Sequence, residues 1–157
     1  MRVGIGRDTH RLAAGRRLVV GGVELAAEAG AVAHSDGDVL LHAVIDAMLG
    51  AAGLGDIGDH FPDTDPQYEN ADSRGLLRQA AKLIEKAGLR VAQLDATVIL
   101  ERPRLGPHKP AMRGNIAADL GLPPDAVNVK AKTAEGLGEI GRGEAVAAEA
   151  VVVLEEV

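Results

Sequence analysis

The chain has no cysteine and no tryptophan, and its only aromatic residues outside histidine are Phe61 and Tyr68. Without thiols there is no disulfide and no thiolate metal site, a composition that fits a reducing compartment. With aromatics this scarce, the core has to be built from Ala, Val, Leu and Ile. Such side chains bury less area each than rings do, so burial at a subunit interface would supplement them. Long apolar runs are also missing: no stretch approaches the roughly 20 residues needed to span a bilayer. Arg2, Arg7 and Asp8 interrupt the start, and no apolar signal-peptide core follows them. The expectation is a cytoplasmic protein with no membrane partner. Nor is there a basic excess. Lys and Arg number 17 against 23 Asp and Glu, for a net charge of −6. That balance argues against a nucleic-acid partner. It also means that a polyanionic substrate would need metal ions or a few well-placed cations.

What is present is a chain of 157 residues, 46% hydrophobic and 25% charged, read as one domain over 1–157. Residues 1–25 read as short strands, with "RLVVGGVEL" a hairpin around Gly21-Gly22. "AEAGAVAHSDGD" is a loop that ends in helix-start chemistry. From Val39 to about Gly50, "VLLHAVIDAMLG" has helical spacing, with Asp36 or Asp38 to cap it. "LGDIGDHFPDTDPQYENADS" is a long polar connection, and such loops are usually functional or disordered. "SRGLLRQAAKLIEKAG" is an amphipathic helix capped by Asp72 or Ser73 and stopped by Gly88. "RVAQLDATVIL" and "AVNVKAKT" read as strands, "HKPAMRGNIAADLG" as a helix, and "EAVAAEAVVVLEEV" as a long final strand whose alanines also allow a helix. Strands and helices without a regular βαβ rhythm predict an α+β fold, a mixed sheet with helices packed on one face.

Five histidines occur, and His10, His34, His42 and His60 lie among a dense set of aspartates. Asp8 and His10 are two apart on an extended start, so both side chains point to one face. His42 sits mid-helix with Asp46 one turn on and Asp38 one turn back. A carboxylate one turn away can hold the second imidazole nitrogen and leave the first for a metal. Asp8, His10 and His42 would then form a three-ligand site with one open position, the pattern of catalytic zinc. On spacing alone a capped strand end and a core histidine satisfied by Asp46 explain the same residues. "AHSDGD" puts a histidine, a hydroxyl and carboxylates at a helix start, which suits an anion or plain capping. "GDIGDHFPDTD" is either a hydroxyl- or metal-phosphate-recognition loop or a solvated acidic one, with Phe61-Pro62 favouring a fixed shape. "ERPRLGPH" and "VKAKTAEGLGEIGRGE" gather Arg102, Arg104, Lys130, Lys132, Thr133, Glu135 and Arg142 around glycines, a composition that suits a phosphate or nucleotide as well as ordinary turns.

Taken in order, these segments resemble the 2-C-methyl-D-erythritol 2,4-cyclodiphosphate synthase family. The resemblance runs through "DTHRL", "HSDGDVLLHAVIDAMLGAAGLGDIGDHFPDTDP", "DSRGLL", "RPRLGPH", "VNVKAKT" and "GRGEAVAAEAV". It implies a homotrimer with active sites between subunits and a small nucleotide-linked substrate. That substrate is 4-diphosphocytidyl-2-C-methyl-D-erythritol 2-phosphate, cyclised with release of CMP. By the same resemblance Asp8, His10 and His42 would bind Zn2+, and Glu135 would help hold a second divalent cation, Mg2+ or Mn2+. His34 and Thr133 would stabilise the transition state. Asp8, His10, His34 and Ser35 would meet the methylerythritol phosphate together with Asp56, Ile57, Gly58, Phe61, Pro62, Asp63, Thr64 and Asp65. Leu100, Pro103, Arg104, Leu105 and Gly106 would form the nucleotide pocket with Ala131, Lys132 and Thr133, and Ala134, Glu135 and Arg142 would also bind the substrate. Asp46 would support His42 from behind. The chain departs from the family pattern at Arg7, where an aromatic is expected, at Ala134, where a hydroxyl is common, and at Glu139, often a phenylalanine. The alternatives are another metal-dependent phosphoryl-transfer enzyme or phosphodiesterase, which would give a linear product, and a non-catalytic oligomeric binding module.

Overall fold

A computed structural model describes all residues, 1–157. The first strand is a single long one, β1 (Arg2–Ala14), rather than short pieces. Its even positions face the helices and its odd positions face away: Gly4 and Gly6 are buried, whereas Val3 and Ile5 are exposed. A hairpin of β2 (Leu18–Val20) and β3 (Val23–Leu25) follows, turning at Gly21-Gly22 as the dipeptide predicts. Next come β4 (Ala29–Ala31) and α1 (Val39–Ala52). The polar connection is not structureless; it holds a four-residue helix, α2 (Ile57–His60), and one 3-10 turn at Pro66–Tyr68. The remaining elements are α3 (Ser73–Lys86), β5 (Leu89–Ile99), α4 (Lys109–Leu120), β6 (Val127–Lys132), α5 (Gly138–Gly141) and β7 (Ala145–Glu156).

Five strands form one mixed sheet in the order β4-β1-β7-β5-β6, antiparallel except for the parallel β5–β6 pair. The α+β expectation therefore holds. The final segment resolves as strand: pairing Gly4 with Val152, Gly6 with Ala150 and Asp8 with Ala148 puts its small and branched residues under α1. A bulge between Val91 and Gln93 changes the phase of β5, so Leu89 and Val91 are buried before it and Leu94, Ala96 and Val98 after it.

Helix α1 is buried nearly all round, lying between the sheet and α3. Its distance from the sheet is set by two glycines. A methyl group at Gly4 would fall on the Ala47 carbonyl oxygen, and one at Gly6 on that of Ala43. Bare backbone on one side and alanine on the other let helix and strand meet more closely than any larger pair could.

The start of α1 is anchored by Asp38, fully buried with no cation beside it. Its carboxylate accepts from Gly21 N–H at 2.8 Å, Gly22 N–H at 2.7 Å and Leu41 N–H at 3.1 Å, tying the hairpin turn to the first turn of the helix. Burial pushes the Asp38 carboxyl up to about 6, and the three N–H bonds offset only part of that.

Two outcomes follow from this packing. Gly6→Ala should cost at least about 2 kcal/mol in chemical denaturation, because the clash is with helix backbone. Gly50→Ala, on the exposed side of α1 with open space around it, should be neutral or stabilising by up to about 1 kcal/mol. The second outcome concerns pH. The folded state holds the Asp38 proton more tightly than the unfolded chain, whose value is 3.8, so this contribution is complete below that pH and is lost as pH rises through about 6. Wild type should therefore gain stability relative to Asp38→Asn as pH falls from 7 toward 4, read from urea midpoints.

Candidate active site

After Gly4 and Gly6 the same face of β1 carries Asp8 and His10, and the tight seating of Ala43 on Gly6 brings His42 over them. Their donor atoms converge. Asp8 Oδ2 lies 2.8 Å from His10 Nε2 and 3.1 Å from His42 Nδ1, and the two ring nitrogens are 3.3 Å apart. All three donors lie within 4.8 Å of one another, half-buried to buried. Burial by itself would raise the Asp8 carboxyl, but hydrogen bonds and charge from His10 and His42 overcome it and hold Asp8 at about 2. Burial would likewise depress His42, yet the Asp8 carboxylate, helped by Asp38 and Asp36, raises it. An anionic oxygen and two imidazoles facing one point fit a divalent metal.

The support behind His42 differs from the i+4 expectation. Asp46 does not touch the imidazole; its Oδ1 accepts the Ile57 N–H at 3.1 Å and so holds the start of α2. One turn of helix separates the two residues along the axis, but Asp46 leans toward the following loop, where an unpaired helix N-terminus needs an acceptor. His42 Nε2 instead faces two hydroxyls, Ser73 Oγ at 2.9 Å and Ser35 Oγ at 3.2 Å. In the sequence Ser73 reads only as part of a helix cap. Asp72 fills that role, accepting from Arg74 N–H.

The triad borders a cleft of about 400 Å3 lined by His10, His34, Ser35, His42, Ile57, Gly58, Phe61, Pro62 and Asp63, with Val32, Ala33, Tyr68 and Leu76. The loop wall is braced. Asp56 and Asp59 form a capping box around α2, and Phe61 meets Tyr68 edge to face with ring centroids 5.6 Å apart. His34 Nε2 donates to the Asp65 carbonyl at 2.9 Å. The Asp65 carboxylate is held low by bonds from the backbone and side chain of Gln67. Asp56, Thr64 and Asp65 do not line the cleft; Asp56 and Thr64 are exposed and Asp65 is half-buried.

The other candidate residues lie elsewhere on the chain. Leu100, Pro103, Arg104, Leu105, Gly106, Ala131, Lys132 and Thr133 line a separate cleft of about 550 Å3, joined by Glu101, Pro107 and Lys109. Glu101 shapes its rim: its carboxylate accepts from Ala134 N–H at 2.9 Å and Gly136 N–H at 3.1 Å. Between them Glu135 adopts a left-handed backbone, φ 55°. Arg142 pairs with Glu144 at 3.1 Å, and Arg7 with Glu149. None of this second group reaches the triad within one chain.

The fold and the converging triad define an α+β protein with a candidate divalent-metal site set beside a cleft. The sequence profile of the YgbB family matches residues 1–155, and the chain belongs to that family. A 2-C-methyl-D-erythritol 2,4-cyclodiphosphate synthase of Geobacter sulfurreducens is 59% identical over 156 residues, 99% of each chain. A solved 2C-methyl-D-erythritol-2,4-cyclodiphosphate synthase in a CDP-bound form superposes with TM-score 0.90 at 44% identity, covering 98% of this chain and 100% of that one. The bifunctional IspDF of Campylobacter jejuni matches with TM-score 0.95 and 44% identity over 99% of this chain, but only 42% of its own longer chain. No helix of the structure is long and apolar enough to cross a membrane.

His42→Ala should abolish tight binding of a single divalent ion in a chelator-competition titration, while circular dichroism of the variant stays native. Retained binding would remove His42 from the site. Lowering the pH of the wild-type titration from 8 to 6 should weaken uptake, because the raised His42 has to lose a proton before its Nδ1 can bind metal.

Proposed function

We propose that this chain is a CMP-releasing cyclodiphosphate synthase, a lyase of the non-mevalonate route to isoprenoids. Its substrate is 4-diphosphocytidyl-2-C-methyl-D-erythritol 2-phosphate and its product 2-C-methyl-D-erythritol 2,4-cyclodiphosphate. The observation that carries this reading is the convergence of Asp8, His10 and His42 beside the His34–Ser35 cleft in a chain matching synthases along its whole length. In the reaction an oxygen of the 2-phosphate attacks the β-phosphorus, and the bond from that phosphorus to the CMP oxygen breaks. Both groups belong to one molecule, so catalysis is a matter of folding the substrate back on itself and neutralising charge.

Asp8, His10 and His42 would hold Zn2+, which supplies Lewis-acid polarisation of the phosphate. His34 stands beside this site with its proton on Nε2, fixed by the Asp65 carbonyl. It and Thr133 are the residues assigned to charge stabilisation in the transition state. Ser35 with Ile57, Gly58, Phe61, Pro62 and Asp63 would hold the methylerythritol phosphate, on a loop whose Asp56 caps α2 and whose Asp65 carbonyl fixes His34. Arg104 and Lys132 bring positive charge to the second cleft, whose Pro103, Leu105 and Ala131 suit a cytosine ring. Glu135, on its left-handed turn, is the carboxylate available to a second cation, Mg2+ or Mn2+, on the diphosphate.

The two clefts lie apart on one chain, and the face of the sheet away from α1 exposes Val3, Ile5 and Val151. A homotrimer packed on that face would cover the apolar strip and set one chain's metal cleft against a neighbour's nucleotide cleft. The protein then acts in the cytoplasm on a small soluble substrate.

The test is incubation with the diphosphocytidyl substrate, zinc and magnesium, followed by phosphorus NMR. CMP together with a cyclic diphosphate signal is the expected outcome. CMP with a linear bisphosphate would mark a hydrolase, and no turnover from metal-loaded protein would refute the assignment.

A further inference from the structure

His42 sits at the end of a hydrogen-bond relay that runs through Ser73 to Asp36. His42 Nε2 lies 2.9 Å from Ser73 Oγ and 3.2 Å from Ser35 Oγ. A hydroxyl can donate or accept, so contact alone does not say which His42 nitrogen carries the proton. The next bond decides it. Ser73 Oγ also makes a close bond to Asp36 Oδ1, and a carboxylate can only accept, so the Ser73 proton belongs to Asp36. Asp36 is itself pinned: Oδ2 takes the Ser73 N–H at 3.0 Å, Oδ1 takes the Asp38 N–H at 3.1 Å, and its own N–H donates to the Ala71 carbonyl. Ser73 is fully buried, so no water competes for its oxygen.

We propose that Ser73, with its hydroxyl proton directed to Asp36, is a positioning residue that keeps a proton on His42 Nε2, so that the nitrogen giving up its proton to a metal is Nδ1, the one facing Asp8 and His10. The opposite tautomer would set two lone pairs against each other in a buried contact and leave Nδ1 unable to bind metal. The relay also links two helix starts: Asp36 lies just before α1, and Ser73 opens α3. Ligand orientation at the metal site therefore depends on the docking of α3. The inference rests on the triad being a metal site.

Zinc affinity, measured by chelator competition, is the readout, with wild type, Ser73→Ala, Ser73→Thr, Ser35→Ala and Asp36→Ala compared. Ser73→Ala should weaken zinc by roughly 10–100-fold. Ser73→Thr, which keeps the hydroxyl, should restore most of it. Ser35→Ala should cost less than Ser73→Ala, since Ser35 Oγ lies farther from His42 and accepts the Gly37 N–H at 3.3 Å, with no carboxylate to claim its proton. Asp36→Ala leaves the Ser73 hydroxyl but removes the acceptor of both its proton and its N–H, so it too should weaken zinc, and it serves if Ser73→Ala folds poorly. In histidine-labelled, zinc-loaded protein the His42 Nε2–H signal should be sharp in wild type and broadened by exchange in Ser73→Ala. A merely structural Ser73 would lower the melting temperature of metal-free protein and leave zinc affinity and this signal alone; that result overturns the proposal. Wild type that takes up no zinc at all would instead defeat the metal reading, and the relay with it.

Discussion

The contact on which the rest depends is the one between two glycines and a helix. Gly4 and Gly6 remove every side-chain atom from the part of β1 beneath α1, and Ala43 and Ala47 answer with the smallest side chains that still favour a helix. The backbones can then approach as far as sterics permit. His42, next to Ala43 in sequence, arrives directly above Asp8 and His10 because the strand continues past the glycines on the same face. A core residue and a donor atom are thus placed by one packing event. Any change that lifts the helix also pulls the triad apart.

Taking aspartates wholly or partly out of water is normally unfavourable, and Asp38, buried, and Asp36 and Asp8, half-buried, show different ways of meeting that cost. Asp38 has no countercharge and is satisfied by three backbone N–H groups, at the expense of a raised carboxyl. Asp36 collects the N–H and hydroxyl of Ser73 and the N–H of Asp38, and so joins the starts of α1 and α3. Asp8 is held ionised by two histidines. Each carboxylate is matched to donors of a different kind, and only Asp8 is left with a lone pair aimed at a space where a cation fits.

The face of the sheet away from α1 follows another rule. There β1 and β7 present Val3, Ile5 and Val151 to the outside, alongside the Arg7–Glu149 pair. A sheet covered on one side by helices and exposing an apolar strip on the other has the character of an interaction surface. With almost no aromatic residues to enlarge the core, the chain relies on a dense layer of small aliphatic side chains, 35 residues in one continuous cluster.

Much of this is legible in the sequence. Gly21-Gly22 announced a hairpin, the apolar spacing from Val39 announced α1, and the two-residue interval of Asp8 and His10 placed both on one face, because these signals are local and depend on backbone periodicity alone. The final strand was ambiguous, since alanine suits a helix until β1 and β5 supply partners on both edges. Spacing pointed to Asp46 as the support for His42; the fold turned Asp46 to the Ile57 N–H and supplied Ser73 from 31 residues away. Nothing in the local pattern of "ADSRG" distinguishes a helix cap from the support of a distant imidazole. The sequence by itself determined the types of the principal elements apart from the final strand, the donor chemistry and the family. Only the tertiary structure decided which donors meet, because convergence depends on how closely α1 and α3 pack, a distance that no periodicity encodes.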